Sequence, residues 1–458
     1  MSASTSQPEL ARASPPIAEG TPRLLRDPAW ERTALGPFNR SARARLFAQL
    51  RGAVPDDDAR PTLRRAYAQV PFYQALFARA AIGLRDLDDA RVLDAIPATR
   101  RADLAAGIAP FLRHPVDDVD LQRGWLGRTS GSTGQPVGYL RDPRTIAWFY
   151  PFVDFALAYA RRPPVRAGRR VGILMLDAIA HRPEYDAELP LFHATRFAKR
   201  RSDDDDALRA TMLSLAPHVV TGDPASLAPL GRLDLPESAR PSLVLSSAFA
   251  MPRATRAAIA SATGAAVLEY YGAQEVGVIA IGCRRGRGLH PLAGACRVDA
   301  IDAGEADKEL VVTPLRDRAF VLVRYALGDH GALDDGDGRD ARDACACGLR
   351  GRRIVSLQGR TDVRFVAHDG ASFAPGVLNP LLARLPVDEH QLVQNSARSY
   401  ALRYRAAAAL SDASLSELAR RLASLARGPA SLTGTRVERP LHAVGEKPTP
   451  FAHERSAK

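Results

Sequence analysis

Hydrophobic positions along this chain follow two periods, and the change from one to the other divides it. From Ser41 to Ala80, Leu46, Leu50, Leu63, Ala66, Val70, Phe72 and Leu76 recur at helical spacing, which predicts amphipathic helices broken at Pro61 and Pro71. Short apolar runs follow: "RVGILML" (Arg170 to Leu176), "HVVTGDP" (His218 to Pro224), "SLVLSSA" (Ser242 to Ala248) and "AAVLEYYG" (Ala265 to Gly272). Runs this short, separated by helical segments at Ala225 to Leu233 and Pro252 to Ala262, predict buried parallel strands in an α/β layer. Ligand sites in such sheets lie at the carboxyl ends of the strands.

Beyond about Arg360 the texture changes. "YALRYRA" (Tyr400 to Ala406) alternates like a strand, and "SLSELARRLASLA" (Ser414 to Ala426) puts Leu415, Leu418, Leu422 and Leu425 on one helical face. These predict a small α+β domain. Residues 1–25, rich in Ser, Pro and Ala without a period, read as a flexible tail. The expected division is therefore a tail (1–25), a large α/β domain with mostly parallel sheets flanked by helices (26–359), and a small C-terminal domain (360–458).

At 458 residues and 46% hydrophobic, the chain can bury a sizeable core and is long for one domain. No basic region leads into an N-terminal apolar run, and no stretch holds eighteen uninterrupted apolar residues, so the expectation is a cytoplasmic protein without membrane contact. The net charge of +12 comes mostly from arginines scattered along the chain, which argues against a nucleic-acid footprint. Lysine occurs only at Lys199, Lys308, Lys447 and Lys458, so chemistry that needs a lysine has few candidates. The run Asp203 to Asp206 reads as a solvated loop without a role.

The stretch "GRTSGSTGQPVGYLRD" (Gly127 to Asp142) sets Gly131 and Gly134 among Thr129, Ser130, Ser132 and Thr133. It is not the P-loop of nucleoside triphosphatases, because no Gly-Lys-Ser/Thr follows at the required spacing. The physics is similar: glycines let the backbone approach an anion, and amide and hydroxyl donors wrap polyphosphate oxygens. A nucleotide triphosphate tail is the expected ligand.

With this loop, "YYGAQEVG" (Tyr270 to Gly277), "VRYALGDHG" (Val323 to Gly331) and "GRTDVRF" (Gly359 to Phe365), the chain resembles the adenylate-forming superfamily of acyl-CoA synthetases, adenylation domains and luciferases. Within it, "VPFYQALF" (Val70 to Phe77) and "VVTGDPASLAPL", with Ala225 as an extra residue, resemble the phenylacetate-CoA ligase-like branch. The resemblance runs from about residue 60 to the C-terminus. It implies a mobile C-terminal lid and residue roles that local chemistry can accommodate.

By resemblance, Thr129, Ser130, Gly131, Ser132, Thr133 and Gly134 would hold the phosphates of ATP. Glu275 would be a Mg²⁺ ligand, as a hard dication wants carboxylate and water oxygens. Tyr271 and Gly272 would lie along the adenine, and Asp329 would accept the ribose hydroxyls. Arg360 would contact the ribose or phosphates, and Asp362 would be the pivot of the small domain. Lys447, in "VGEKPTPF", would neutralise charge as a carboxylate attacks the α-phosphate. Gly370, in "HDGAS" (His368 to Ser372), would admit the pantetheine of coenzyme A.

The implied reaction joins a small carboxylic acid to coenzyme A, or to a carrier-protein thiol or an amine, with the protein a monomer or homodimer. Trp148 to Tyr159 ("WFYPFVDFALAY") is either an aromatic wall for an aryl acid or a core helix.

Four cysteines are too few for a disulfide scaffold in a chain this long. Cys283, His290, Cys345 and Cys347 could form a closed, structural zinc site, a pattern similar to one in some phenylacetate-CoA ligase-like proteins; free thiols are the alternative. Cys296 reads as a core strand residue. Three positions depart from the family pattern: Gln135 replaces a phosphate-loop lysine, Gln274 replaces Ser/Thr before the glutamate, and Ala248 stands where many members have an acid. Loss of a loop cation predicts weaker ATP affinity. A degenerate, non-catalytic homologue is therefore a second expectation.

Overall fold

The computed structural model describes residues 35–89, 91–116, 124–129, 137–162, 172–177, 184–189, 195–201, 204–302, 308–316, 318–334, 345–359, 363–382, 384–438, 441 and 450–453. The expected tail, 1–25, lies outside them. Helices Gly36–Leu50, Arg60–Gln69 and Pro71–Arg79 open the described chain. Pro61 and Pro71 stand in the first turn of their helices, where a missing N–H costs no intrahelical bond. They therefore start helices instead of breaking them. Leu46, Leu63, Ala66, Val70 and Phe77 are all buried.

These helices are stitched to a segment far along the chain. Val323 N donates to the Tyr73 hydroxyl at 2.7 Å, and the Thr99 hydroxyl donates to Val323 O at 2.8 Å. Strands β1 (Trp125–Arg128) and β2 (Gly138–Arg141) then form an antiparallel hairpin in which Gly127 opposes Tyr139. A Cβ at Gly127 would fall 2.5 Å from the Tyr139 ring, so this glycine gives the ring its place.

The next strands are β3 (Gly172–Asp177), β4 (Tyr185–Leu189), β5 (Thr195–Arg201), β6 (Val219–Gly222), β7 (Leu243–Ser246) and β8 (Ala266–Ala273). Spatially they run β8-β7-β6-β3-β5-β4, parallel as far as β5, with β4 antiparallel at the edge. The four apolar runs have become four adjacent parallel strands. Alternation sends Ile173, Val219, Leu243 and Leu245 into the largest core cluster and Leu174, Leu176, Val220 and Val244 into a second one. Both faces are buried, which is why these segments read as continuous apolar runs.

From β8 the same sheet continues with β9 (Gly277–Gly282), β10 (Leu289–Pro291), β11 (Cys296–Asp302), β12 (Lys308–Pro314), β13 (Tyr325–Asp334) and β14 (Arg353–Gly359). This half is ordered β8-β9-β10-β14-β13-β12-β11 and is antiparallel throughout. The α/β layer is thus parallel on one side of β8 and antiparallel on the other. Cys296 is buried at the start of β11, as expected of a core residue.

Two local expectations are corrected. The helix expected over Ala225 to Leu233 spans only Pro224–Leu227 and continues as a tighter turn at Ala228–Gly231, because Pro229 lacks the N–H that an α-helix would use. The acidic run is not a plain loop: Asp204 caps helix Asp205–Leu215 by accepting from the N–H groups of Asp206 and Ala207. Acidic residues at a helix N-terminus also suit its dipole.

The C-terminal region has its own sheet and core. A two-stranded pair, β15 (Phe365–Val366) and β16 (Ser372–Phe373), precedes β17 (Glu389–Ser396), β18 (Ser399–Arg405), β19 (Ser431–Arg436) and β20 (Phe451–His453). The larger sheet is ordered β19-β18-β17-β20 and is covered by helix Asp412–Leu425. Leu418 and Leu422 are buried, with Leu415 and Leu425 packed beside them. Every member of this cluster lies at or beyond Val363. No helix among the described residues is long and apolar enough to cross a membrane.

Candidate active site

Three segments meet at the carboxyl end of β8. The first is the β1–β2 hairpin, which reaches Gln274 through Tyr139 and Arg141 and whose far end is the neck of the glycine-serine loop. Thr129 N donates to Val137 O at 3.0 Å, and Thr129 Oγ1 accepts from Val137 N at 3.1 Å and from Arg101 Nη2 at 2.7 Å. Ser130, Gly131, Ser132, Thr133 and Gly134 lie outside the described residues, as do Arg360, Asp362 and Lys447.

The second segment is the β8–β9 hairpin, whose turn is Gln274 to Val276. It depends on two glycines. Gly277 has φ +91°, in the left-handed region, and a Cβ at Gly272 would come within 2.7 Å of Gly277 O. Glu275, only 1% exposed, accepts through Oε1 from the Tyr325 hydroxyl at 2.9 Å. Its turn is held by a residue that the motifs did not flag: Arg318 donates from Nη2 to Glu275 O at 3.1 Å and from Nη1 to Val276 O at 3.0 Å. Arg316 lies alongside, with Nη2 3.4 Å from both Val276 O and Val278 O and its guanidinium 4.4 Å from the Trp148 ring centroid.

Burial pushes the Arg316 pKa down to about 10 and lowers that of Arg318 as well. Arg316 remains protonated at neutral pH. Asp142 ties this layer to β2, accepting from Thr145 N at 2.8 Å and from Ala319 N at 2.9 Å. Gln274 faces β2 directly: Arg141 donates from Nε to Gln274 O at 2.8 Å and from Nη2 to Gln274 Oε1 at 2.9 Å. The Tyr139 hydroxyl reaches the same Oε1 at 3.3 Å.

The third segment is the start of β13. Arg324 has φ +46°, unusual for a residue with a side chain, and its carbonyl accepts from Thr99 N at 3.1 Å. The next residue, Tyr325, carries the hydroxyl that meets Glu275. Further along, Asp329 accepts through Oδ2 from the Tyr271 hydroxyl at 2.6 Å. Tyr271, Gly272, Glu275 and Asp329 are thus brought together by the bonds between the β8–β9 hairpin and β13, while Thr129 is bonded to Val137 and Arg101. Ala248, just beyond β7, adopts φ +73°.

The donor set fits the groups expected there. A buried carboxylate oriented by one hydroxyl offers the oxygen ligand that Mg²⁺ prefers when phosphates and water complete its shell. Gly370 has φ +83° with open space where a Cβ would be, and its loop is tied to the region after helix Asp412–Leu425 through Arg427 Nη1 and Asp369 Oδ2 at 2.7 Å. The Trp148 to Tyr159 segment packs as a core helix: Phe152 and Phe155 are buried, and Phe152 meets Tyr270 edge-on at 5.4 Å.

Away from these groups, Cys283, His290, Cys345 and Cys347 have ligand atoms all within 4.8 Å of one another. Cys283 Sγ and Cys345 Sγ are 3.6 Å apart, and Cys347 Sγ is 3.2 Å from His290 Nε2. Tetrahedral zinc with its usual Zn–S bonds has S···S edges of about 3.8 Å, so the spacing fits. Burial, with help from Arg353, holds His290 down to about 4, which keeps the imidazole neutral as a ligand must be. Burial, with the neighbouring Cys345 and Cys347, pushes the Cys283 thiol up to about 11, a cost that a bound dication would reverse.

No protein-family model and no curated protein matches the chain. Among solved structures, three of 2-hydroxyisobutyryl-CoA ligase, in two states, are similar to this chain. In the postadenylation state with R3-HIB-AMP the TM-score is 0.60 at 16% identity, covering 96% of this chain and 94% of that one. With 2-HIB-AMP the values are 0.59 and 16%, covering 97% and 94%. An open conformation with 2-HIB-AMP and CoA gives 0.53 and 15%, covering 96% of each chain. The likeness is one of fold, and it spans nearly the whole of both proteins. The chain has the fold of the adenylate-forming ligases.

Proposed function

We propose that this protein is an ATP-dependent, AMP-forming acid–thiol ligase of the phenylacetate-CoA ligase-like branch. The observation that carries the reading is that Glu275 and the bonded Tyr271–Asp329 pair are brought together where the β8–β9 hairpin meets β13. A substrate carboxylate oxygen attacks the α-phosphorus of ATP, and pyrophosphate leaves with the electrons of the broken P–O bond. A thiol then attacks the acyl carbonyl, loses its proton to solvent and expels AMP. Mg²⁺, held by Glu275, would neutralise phosphate charge.

The chain's own groups divide the remaining work. Tyr271 and Asp329 hold the adenosine, Thr129 and the loop residues Ser130 to Gly134 wrap the phosphates, and Arg360 adds a cation. Lys447 offsets charge in the first step. The small domain, 360–458, turns about Asp362 and brings coenzyme A past Gly370 for the second. Cys283, His290, Cys345 and Cys347 hold a structural zinc that joins β9 and β10 to the segment before β14.

The acid is an apolar or aromatic monocarboxylic acid, and the enzyme works in the cytoplasm as a monomer or homodimer. Transfer to a carrier-protein thiol or an amine is the alternative second step. Carboxylate-dependent exchange of labelled pyrophosphate into ATP, with a panel of acids and Glu275→Ala as control, tests the proposal. Exchange with one acid class that the control loses would support it. A protein that exchanges with no acid would leave the non-catalytic reading in its place.

A further inference from the structure

We infer that Arg141 is a positioning residue for Glu275, acting through Gln274 in a ring of hydrogen bonds that closes around the turn carrying the carboxylate. The inference rests on the Mg²⁺-binding role proposed for Glu275. It adds to that role a residue that touches neither metal nor nucleotide.

The ring runs through three segments. Arg141 donates from Nε to Gln274 O at 2.8 Å and from Nη2 to Gln274 Oε1 at 2.9 Å. From Gln274 the chain passes to Glu275 and Val276, whose main-chain oxygens accept from Arg318 Nη2 at 3.1 Å and Nη1 at 3.0 Å. Ala319, the next residue after Arg318, donates from its N–H to Asp142 Oδ2 at 2.9 Å. Asp142 follows Arg141, which closes the circuit. The other oxygen of Asp142 is held by Thr145 N at 2.8 Å, so this link is fixed at both ends.

Arg141 opposes Trp125 in the hairpin register, at the end of β2 that points away from the glycine-serine loop. Its guanidinium is engaged at the turn instead. The Tyr139 ring centroid lies 5.5 Å from it, and the Tyr139 hydroxyl donates to the same Gln274 Oε1 at 3.3 Å. Gly127 leaves the room for that ring, since a Cβ there would fall 2.5 Å from it. A serine at 274 would have no acceptor at the end of its side chain that could meet both Arg141 and Tyr139, so glutamine is what completes this side of the ring.

The two sides of the ring do different work because they differ in exposure. Arg318 and Glu275 are 2% and 1% exposed, whereas Gln274 is exposed and Arg141 half-buried. A buried hydrogen bond, once broken, leaves its partner without water, while an exposed one is largely exchanged for bonds to solvent. The Arg318 side therefore carries stability, and the Arg141 side chiefly sets the direction of the turn. The Tyr325 hydroxyl, 2.9 Å from Glu275 Oε1, aims the side chain, and the ring aims the main chain from which it projects. Groups that orient a metal ligand in this way commonly change metal affinity by roughly 10- to 100-fold.

The test measures ATP binding by calorimetry in Mg²⁺ and again in EDTA, and takes the factor by which Mg²⁺ strengthens binding. Arg141→Met should reduce that factor roughly 3- to 10-fold, leave ATP binding in EDTA unchanged, and melt within about 3 °C of wild type. Gln274→Ser should lose part of the factor, and in an Arg141→Met background it should cost nothing further, because both changes break the same link. An unchanged factor in Arg141→Met would overturn the inference. So would an equal loss with and without Mg²⁺, or additive losses in the double variant, since Arg141 would then only brace the hairpin. Glu275→Ala separates the two levels of the argument. If it keeps the Mg²⁺ factor, the metal role of Glu275 fails and takes the inference with it; if it abolishes the factor while Arg141→Met preserves it, the metal role stands and the inference alone is lost.

Discussion

The Tyr271 hydroxyl donates to Asp329 Oδ2 at 2.6 Å, joining the end of β8 to β13 across 58 residues of sequence. An aromatic ring and a carboxylate are thus presented as one bonded unit, which under the proposed function would take a base and its sugar. Tyr271→Phe keeps the ring and removes the donor, so MgATP affinity should fall roughly 3- to 10-fold by calorimetry. Asp329→Ala should cost roughly 100-fold. If Tyr271→Phe binds like wild type, the bond does not orient the carboxylate for the nucleotide.

Arg318→Met removes two donors and leaves the carbonyls of Glu275 and Val276 buried without them. Denaturant unfolding should show a loss of about 2 kcal/mol. Because the Glu275 turn loses its anchor, the Mg²⁺ concentration for half-maximal pyrophosphate exchange should rise. A stability loss with no change in Mg²⁺ dependence would make Arg318 structural only.

At Gly272 the constraint is steric. A methyl group there would press on Gly277 O at 2.7 Å, within the same hairpin. Gly272→Ala should therefore cost about 1–3 kcal/mol by denaturant unfolding and reduce exchange. Gly370→Ala makes a useful contrast, since its Cβ meets nothing and only the positive φ is strained.

The cysteine–histidine cluster should carry about one zinc per chain by elemental analysis. Chelation or Cys347→Ser should lower the melting temperature by about 5 °C or more, because the ion would cross-link segments 62 residues apart. Pyrophosphate exchange by protein that stays folded should be unaffected. Absence of zinc after expression in zinc-supplemented medium would favour free thiols.

Lys447→Ala should abolish exchange, whereas Asp362→Pro should spare exchange and block thioester formation by fixing a backbone angle the small domain must change. Loss of both half-reactions in Asp362→Pro would remove the pivot role.

The parallel half of the sheet was legible because its strands are buried on both faces, so residues such as Ile173 and Leu174 are apolar in succession. The antiparallel half was not. β10 has three residues, and the exposed or half-buried positions of β11 and β13 interrupt any apolar run. Within the site, Glu275 and Asp329 stood out because their motifs name them. Arg318, Arg316 and Arg141 were missed because they act on main-chain oxygens, which leave no mark in the sequence of the segment they hold. "PLRDRAF" sets two arginines beside an apolar stretch, and burial there was the signal available.

The stitch between Tyr73, Thr99 and Val323 has a consequence for a chain being made on the ribosome. Its partners are 250 and 224 residues apart. At roughly 5–20 residues per second, the opening helices wait on the order of ten to fifty seconds before the strand that completes their core has been synthesised. Throughout that interval their apolar faces must be shielded by other segments or by a chaperone.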